Sequence, residues 1–373
     1  QVFFQINTFS NSPMEPLKEM FNKNFFVHLA EEINKTYPAF ETKKFMKDVT
    51  SNLEELSLNQ RMRKASETMH VYLPSDYKKT ITILRDTIPT VQRGYVSLLF
   101  PDYVGVYGRK DFQTSLEALK YFTSFGSSEF SIREFLKLDF DKTLSVMKKW
   151  ANDKDHHVRR LSSEGSRPRL PWSFKLDEPI KNPYATKEIL EALKEDDELY
   201  VRKSVANHLN DISKDNPDAM LKIVKGWGTN NKHTSWIIKH AARSLIKKGN
   251  QQILSVFEFE KDPKVSVSNF SLSKKKIKLG ERLKFNFELA SNKNKEQNLV
   301  VDYAIHYKKI SGELAPKIFK LKEIKLQKNE KLIITKEQLF KDFTTRKHNA
   351  GLHKIEILIN GESYWIQEFQ ILA

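Results

Sequence analysis

The segment from His157 to Trp172 combines basic, acidic and aromatic side chains at close spacing. Glu164 lies there among four arginines within eleven residues, namely Arg159, Arg160, Arg167 and Arg169. Arginine side chains end in a planar, permanently charged guanidinium group whose N–H donors suit phosphate oxygens. A carboxylate among them repels phosphate, unless it faces a cation or merely neutralises Arg160 one helical turn earlier. The segment therefore predicts either a carboxylate that faces a cationic group beside a polyanion, or an ordinary helical ion pair.

The composition narrows the class of partner. The chain has 373 residues, enough for two domains, and 63 Lys+Arg against 47 Asp+Glu give a net charge of +16. Such an excess favours a polyanionic partner, nucleic acid before membrane. The absence of cysteine excludes disulfides, thiolate zinc sites and a cysteine nucleophile. No apolar run approaches the roughly 20 residues of a membrane span.

The first residues do not resemble a signal peptide, because no basic segment is followed by an apolar core. Met14 looks like a natural start, so we interpret residues 1–13 as a cloning remnant. Together these features predict a soluble, cytoplasmic protein that acts as a monomer and has no membrane partner.

The hydrophobic period changes near residue 260. Before it, apolar residues recur at helical spacing, as in Val201, Val205, Leu209 and Ile212. After it the pattern alternates, as in Leu283–Leu289 and Val300–Tyr307, and Asn360-Gly361 is a two-residue hairpin signal. We predict a mainly α chain: a HEAT-like helical-repeat solenoid over residues 14–260, then a small all-β immunoglobulin-like sandwich over residues 261–373.

A weak internal repeat supports the solenoid. Val158-Arg159-Arg160 recurs as Val201-Arg202-Lys203 43 residues later, and Ile238-Lys239-His240 follows after 37 more. Periods near 40 are typical of HEAT-type helical pairs. We expect each recurrence at a helix start, so that the basic residues line one face. The alternative is an ordinary solvated helix surface.

Four motifs resemble those of the AlkC-type DNA alkylation repair glycosylases, relatives of AlkD. They are Val158–Trp172 (VRRLSSEGSRPRLPW), Val205–Asp218 (VANHLNDISKDNPD), Ser127–Arg133 (SSEFSIR) and His240–Gly249 (HAARSLIKKG). The resemblance covers residues 14–257, and the β-domain is similar to the immunoglobulin-like extension of one branch of the family.

The resemblance implies an enzyme of base excision repair. It would bind double-stranded DNA and remove cationic bases such as 3-methyladenine and 3-methylcytosine without a cofactor. A positive base weakens its own N-glycosidic bond, so the catalyst has to stabilise an oxocarbenium-like sugar, which carboxylates do electrostatically. A carboxylate also orients or deprotonates the attacking water.

Three acidic residues match the family motifs: Glu129, Glu164 and Asp211. They are 35 and 47 residues apart, close to one repeat each, so a solenoid brings them side by side. Glu129 could instead cap a helix after Ser127-Ser128, and Asp211 could be a surface aspartate. Trp172 is a candidate contact for the lesion or the sugar, or else a core tryptophan.

The remaining candidates are cations for phosphate contacts. In the helical part they are Arg159, Arg160, Arg167, Arg169, Lys203, Lys239, His240 and Arg243. Residues 261–373 carry 21 lysines and 2 arginines against 13 acidic residues, a net charge of +10. Lys274, Lys275 and Lys276 are therefore further candidates, although lysines also protect sheet edges.

No metal site is predicted, because the ten histidines form no paired-ligand helix motif. The alternative to a glycosylase is a non-enzymatic HEAT-repeat scaffold that binds nucleic acid or an acidic protein. In that case the acidic triplet could be lost without consequence.

Overall fold

The computed structural model describes residues 16–342 and 347–372. The expected cloning remnant, residues 1–13, lies outside the described residues. None of the helices in the described part of the chain is long and apolar enough to cross a membrane. The α-helices are α1 (Lys23–Thr36), α2 (Thr42–Thr50), α3 (Leu58–Tyr72), α4 (Tyr77–Thr87), α5 (Leu99–Tyr107), α6 (Phe112–Phe122), α7 (Ile132–Leu138), α8 (Phe140–Trp150), α9 (His156–Gly165), α10 (Asp177–Lys181), α11 (Lys187–Leu193), α12 (Leu199–Asp215), α13 (Pro217–Trp227), α14 (Lys232–Ala241), α15 (Arg243–Lys247) and α16 (Gln251–Val256).

The strands follow the last helix, as the change of period predicts. They are β1 (Val265–Leu272), β2 (Lys276–Ile277), β3 (Arg282–Ser291), β4 (Gln297–Lys308), β5 (Leu314–Leu326), β6 (Lys331–Leu339), β7 (Gly351–Ile359) and β8 (Glu362–Ile371). The predicted fold class, a helical repeat followed by an immunoglobulin-like β-domain, is confirmed.

The chain forms two compact units, of which the first ends at Asp215 and the second begins at Asn216. The second unit therefore contains α13–α16 as well as the strands. The sequence-based boundary at residue 260 marks the change from helix to strand instead, and it stays a prediction as a domain boundary.

In the first unit, helices pack against near neighbours in sequence, as helical repeats do: α1 on α2, α3 on α5, α7 on α8, and α9 on α12. The apolar stripe of α12 is buried as its spacing predicts, at Val201, Val205, Leu209 and Ile212. The side chain of Asp155 accepts from the His157 amide and so starts α9.

The internal repeat is visible in matched hydrogen bonds. Arg159 Nη1 donates to the carbonyls of residues 153 and 154 at 2.9 and 3.1 Å, and Arg202 Nη1 donates to those of residues 196 and 197 at 2.8 and 2.7 Å. The expectation for the third recurrence is wrong. Ile238 lies near the end of α14, because Asn231 caps that helix and starts it at Lys232.

The β-domain is a two-sheet sandwich. One sheet has the order β1-β3-β6, and the other has the order β2-β8-β7-β4-β5. Alternate residues of β3 fill the core between them, including Leu283, Phe285 and Phe287. Asn360 and Gly361 have φ of 50° and 87° and form the predicted turn between β7 and β8.

The segment that follows α16 is hydrogen-bonded to β4. Residues on both faces of this strand are buried, among them Val300, Val301, Asp302 and Tyr303. The Asn298 side-chain amide donates to the Phe257 carbonyl at 3.2 Å, and the Glu260 amide donates to the Asn298 carbonyl at 2.9 Å. These hydrogen bonds lie within the second unit, which contains α13–α16 and the strands.

Candidate functional site

The three acidic candidates lie close together inside the first unit. Glu129 is in the turn before α7, Glu164 is on α9, and Asp211 is on α12. Helix α9 packs directly on α12. The three residues are 8%, 5% and 0% exposed, respectively. Asp211 is therefore not a surface aspartate.

Two arginines join these carboxylates into a chain of alternating charge. Arg160 Nη1 donates to Glu129 Oε2 at 2.5 Å, and Arg160 Nη2 lies 3.6 Å from Glu164 Oε1. Arg167 Nη1 donates to Glu164 Oε1 at 2.6 Å. Arg167 Nε and Nη2 both lie 2.7 Å from Asp211 Oδ2. We call these five residues the carboxylate ladder.

Glu164 and Arg160 keep their charges although they are buried. Burial acts to raise the pKa of Glu164, but attraction to Arg160 and Arg167 outweighs burial and holds that pKa below its usual value. Burial likewise opposes the charge of Arg160, whose pKa the carboxylates of Glu129 and Glu164 raise. The ladder itself contains three carboxylates and two guanidinium groups, and Lys214 and the buried Arg133 add positive charge close to it.

The contacts of Glu164 and Glu129 bear on the alternatives predicted for them. Glu164 pairs with Arg160 one turn earlier, yet its shorter contact is with Arg167. Glu129 does not cap α7, whose N-cap residue is Ser131. Its carboxylate instead accepts from Ser127 Oγ at 2.8 Å and from Arg160. Both carboxylates are thus fixed by side chains of the ladder and its surroundings.

The ladder continues toward solvent at Asp211. Lys214 Nζ donates to Asp211 Oδ1 at 2.8 Å, and the Lys214 side chain is 51% exposed. One turn further on α12, Asp215 Oδ2 accepts from Arg169 Nε at 2.6 Å. Arg167 and Arg169 therefore bind two carboxylates that lie four residues apart on one face of α12.

Trp172 lies in the loop that follows α9. It is 81% exposed and has φ of 65°, so it is not a core tryptophan. A large aromatic side chain in this position is available for stacking on a base or a sugar.

A buried arginine holds this loop in place. Arg133, on α7, is fully buried, and its guanidinium donates to the carbonyls of Gly165, Arg167 and Phe174. Sequence reasoning missed this role, although Arg133 ends one of the recognised motifs. The clue in the sequence is the proline-containing loop, because such a loop leaves backbone carbonyls without hydrogen-bond partners. A neighbouring repeat then has to supply the donors.

The predicted phosphate contacts fall into two groups. Arg160 and Arg167 are buried in the ladder, Arg159 pairs with Asp196 at 2.6 Å, and Arg169 pairs with Asp215. The exposed cation of this set in the first unit is Lys203. The phosphate roles of all these residues stay predictions. The four arginines are already paired with carboxylates in this structure.

The other predicted cations belong to the second unit. Arg243, Lys274, Lys275 and Lys276 are exposed, and Lys274 Nζ lies 3.0 Å from Glu281 Oε1. Lys239 forms an ion pair with Glu323 of β5, and the His240 ring stacks on Trp236 with centroids 5.0 Å apart. Lys239 therefore joins α14 to the sheet.

Two further residues escaped the sequence analysis. The Tyr200 ring lies 4.5 Å from the guanidinium carbon of Arg160 and covers one of its faces. His208 is fully buried, with Nδ1 2.9 Å from the Ser163 carbonyl and Nε2 3.0 Å from Thr186 Oγ1. Burial lowers the pKa of His208 to about 3, so it is neutral and positions α12 against α9.

One group of side chains has metal-ligand atoms near each other. Atoms of Asp155, His156 and His157 lie within 4.8 Å. Asp155 Oδ1 accepts from the His157 amide at 2.8 Å, and Oδ2 accepts from Ser124 Oγ at 2.5 Å. Helix capping accounts for this arrangement, and we assign no metal to it.

Comparison with known proteins identifies the class. The family described as "DNA alkylation repair enzyme" matches residues 114–245, which contain the whole ladder. The family described as "Uncharacterised protein YhaZ, C-terminal Ig-like domain" matches residues 266–373. The chain thus combines a repair-enzyme domain with an immunoglobulin-like domain.

Two relatives extend along nearly the whole chain. The uncharacterized protein YhaZ of Bacillus subtilis (strain 168) is 41% identical over 361 residues, which is 96% of this chain and 100% of the relative. The structure of Pseudomonas fluorescens alkylpurine DNA glycosylase AlkC, bound to DNA containing an abasic site analog, is 48% identical. It matches with a TM-score of 0.93 over 96% of this chain and 100% of that chain. The chain belongs to the AlkC family of DNA alkylation repair enzymes.

Proposed function

We propose that this protein is a monofunctional DNA glycosylase that hydrolyses the N-glycosidic bond of cationic N-alkylated bases, such as 3-methyladenine and 3-methylcytosine. The observation that carries the proposal is the carboxylate ladder. A protein that only bound phosphates would gain nothing from three buried carboxylates, which repel the backbone.

The chemistry follows from the charge of the lesion. A base methylated on its ring nitrogen leaves as a neutral molecule when it takes the electrons of the glycosidic bond, so no general acid is required. Positive charge then develops on the deoxyribose. The carboxylates of the ladder stabilise that charge, and their preorganisation avoids a reorganisation cost during the reaction.

Each ladder residue has a proposed role. Asp211 faces the sugar and orients or deprotonates the attacking water, because its Oδ1 is on the side of the half-exposed Lys214. Glu129 and Glu164 supply negative charge. Arg160 and Arg167 are positioning residues that hold the carboxylates in place and keep the pKa of Glu164 low.

The proposed DNA surface combines stacking and charge. Trp172 stacks on the lesion or its sugar, and the exposed cations Lys203, Arg243 and Lys274–Lys276 contact phosphates. The AlkC relative, in complex with DNA that carries an abasic site analog, supports duplex DNA as the partner. We propose that the protein acts on it as a monomer.

The test is incubation of the protein with methylated duplex DNA, followed by chromatography of the released bases and electrophoresis of the strand. We expect 3-methyladenine or 3-methylcytosine to appear and the abasic strand to remain intact. Binding without release would support the scaffold alternative. A nicked strand would contradict monofunctional chemistry and would make Lys214 the candidate amine nucleophile.

A further inference from the structure

The two oxygens of Asp211 have different surroundings. Oδ2 accepts from both Nε and Nη2 of Arg167, a side chain that is only 8% exposed. Oδ1 accepts from Lys214 Nζ at 2.8 Å. One oxygen of the fully buried carboxylate is therefore held by a buried arginine and the other by a cation that reaches solvent.

Lys214 is placed so that it can leave. Its side chain is 51% exposed, and it lies three residues after Asp211 on the same helix. Rotation about its own side-chain bonds moves the ammonium group into solvent without any change of the backbone. Arg167 has no such freedom, because it also donates to Glu164.

The ammonium group changes the charge of the site. Lys214 adds one positive charge next to Asp211 Oδ1. When it leaves, the charge of the site falls by one unit at that oxygen. A cationic sugar or base then replaces the lysine charge, whereas a neutral nucleotide leaves Asp211 Oδ1 without its cation and only Oδ2 paired with Arg167.

We propose that Lys214 is a placeholder cation: it occupies Asp211 Oδ1 in the free enzyme, is displaced by a cationic substrate or transition state, and thereby sets the selectivity for cationic lesions. This inference rests on the proposed glycosylase function.

The experiment compares two duplexes that differ in one nucleotide. One carries a neutral tetrahydrofuran abasic analogue and the other a cationic pyrrolidine analogue, and Kd is measured by fluorescence anisotropy with the full chain. In Lys214→Met the cationic analogue no longer competes with the ammonium group. We define the ratio as the Kd of the neutral duplex divided by the Kd of the cationic duplex, and we expect Lys214→Met to increase it on the order of tenfold. A change of this size is usual for the effect of a neighbouring charge on a carboxylate.

Two variants serve as controls. Lys203→Met removes an exposed positive charge from the same helix and should weaken both complexes equally, which leaves the ratio unchanged. Lys214→Arg keeps the charge and should retain the ratio of the wild-type protein.

The outcomes separate the placeholder role from the proposed function. An unchanged ratio in Lys214→Met would overturn the placeholder role and make Lys214 a phosphate contact or a bystander. A smaller ratio in Lys214→Met, meaning a weaker preference for the cationic duplex, would also overturn it. In that case Lys214 would help to orient Asp211 for the cation. Release of methylated bases by the wild-type protein is measured in the same preparation, so a failure of glycosylase activity would be seen separately.

Discussion

At the scale of single residues, the ladder pairs each buried charge with a partner of fixed geometry. Transfer of a charged group from water into the protein interior costs several kcal/mol, and removal of one partner leaves the other uncompensated. Arginine suits this position because one guanidinium group bridges two carboxylates, as Arg167 does between Glu164 and Asp211. Glu164 therefore keeps a low pKa although it is buried.

The sequence predicted which acidic residues would meet, but not how. Glu129, Glu164 and Asp211 matched family motifs at repeat-like spacing, and the structure brings them into one cluster. The partners were not predictable, because residue spacing does not specify which side chain a buried arginine will face. Arg160 and Arg167 were expected to contact phosphate, and Lys214 was not singled out.

Neutral His208 predicts a dependence of stability on pH. Its folded pKa is about 3, whereas histidine in an unfolded chain titrates near ~6.5. Between these values the unfolded state binds more protons, so the free energy of unfolding falls as the pH drops from about 6.5 toward 3. The contribution of His208 to this slope approaches ~1.4 kcal/mol per pH unit.

Denaturant unfolding of wild-type protein and His208→Gln at several pH values measures this contribution. We expect a shallower slope in the variant below pH ~6.5, because glutamine does not titrate. Parallel curves for the two proteins would contradict a buried neutral histidine at this position.

At the scale of elements, hydrophobic periodicity predicted the type of element correctly. The sequence did not reliably predict where within a helix a given motif lies. The alternation in Leu283–Leu289 predicted β3, and the helical stripe ending at Ile212 predicted α12. The basic recurrence at Ile238 was placed at a helix start, but it lies near the end of α14. A three-residue similarity does not specify the helix cap, which Asn231 provides seven residues earlier.

The hairpin turn at Asn360-Gly361 does more than reverse the chain. Asn360 Nδ2 donates to the Glu260 carbonyl at 2.7 Å, and Asn360 Oδ1 accepts from the Val300 amide at 2.7 Å. A Cβ on Gly361 would lie 2.2 Å from the Cα of Gly249, in the turn between α15 and α16. The turn is thus a point where the helices of the second unit contact the sandwich.

Gly361→Ala should therefore destabilise the second unit strongly. The side chain adds a backbone clash to the strain at a φ of 87°, and we expect a loss of roughly 2–5 kcal/mol in the free energy of unfolding. Gly312→Ala is a matched control, because Gly312 also has φ of 87° but no atom within 4 Å of an added Cβ. Equal losses in the two variants, measured by calorimetry, would rule out close packing at Gly361.

At the scale of the whole molecule, the net charge is unevenly distributed along the chain. Residues 261–373 carry +10 of the total of +16, although they are less than a third of the sequence. The composition alone thus predicted a polyanionic partner, whereas the lesion chemistry came from the motifs and their resemblance to a family. Lysines of this kind follow a phosphate backbone without reading bases.

Substitution of Lys274, Lys275 and Lys276 by glutamine should weaken duplex binding without loss of stability, since all three are exposed. Each phosphate contact that is lost should reduce the slope of log K against log[salt] by about 0.9. Anisotropy titrations at several salt concentrations measure this slope. An unchanged slope would mean that this segment serves solubility or sheet-edge protection instead.

The most direct test of the account is the single-turnover rate of base excision by Asp211→Asn. Asparagine still accepts from Arg167 but lacks the charge that is proposed to stabilise the cationic sugar. We expect a loss of roughly 10²–10³ in rate with little change in Kd for duplex DNA. Asp215→Asn, one turn further on α12 and outside the ladder, should excise at nearly the wild-type rate. Near-wild-type excision by Asp211→Asn, or an equal loss in Asp215→Asn, would contradict a catalytic role for the ladder.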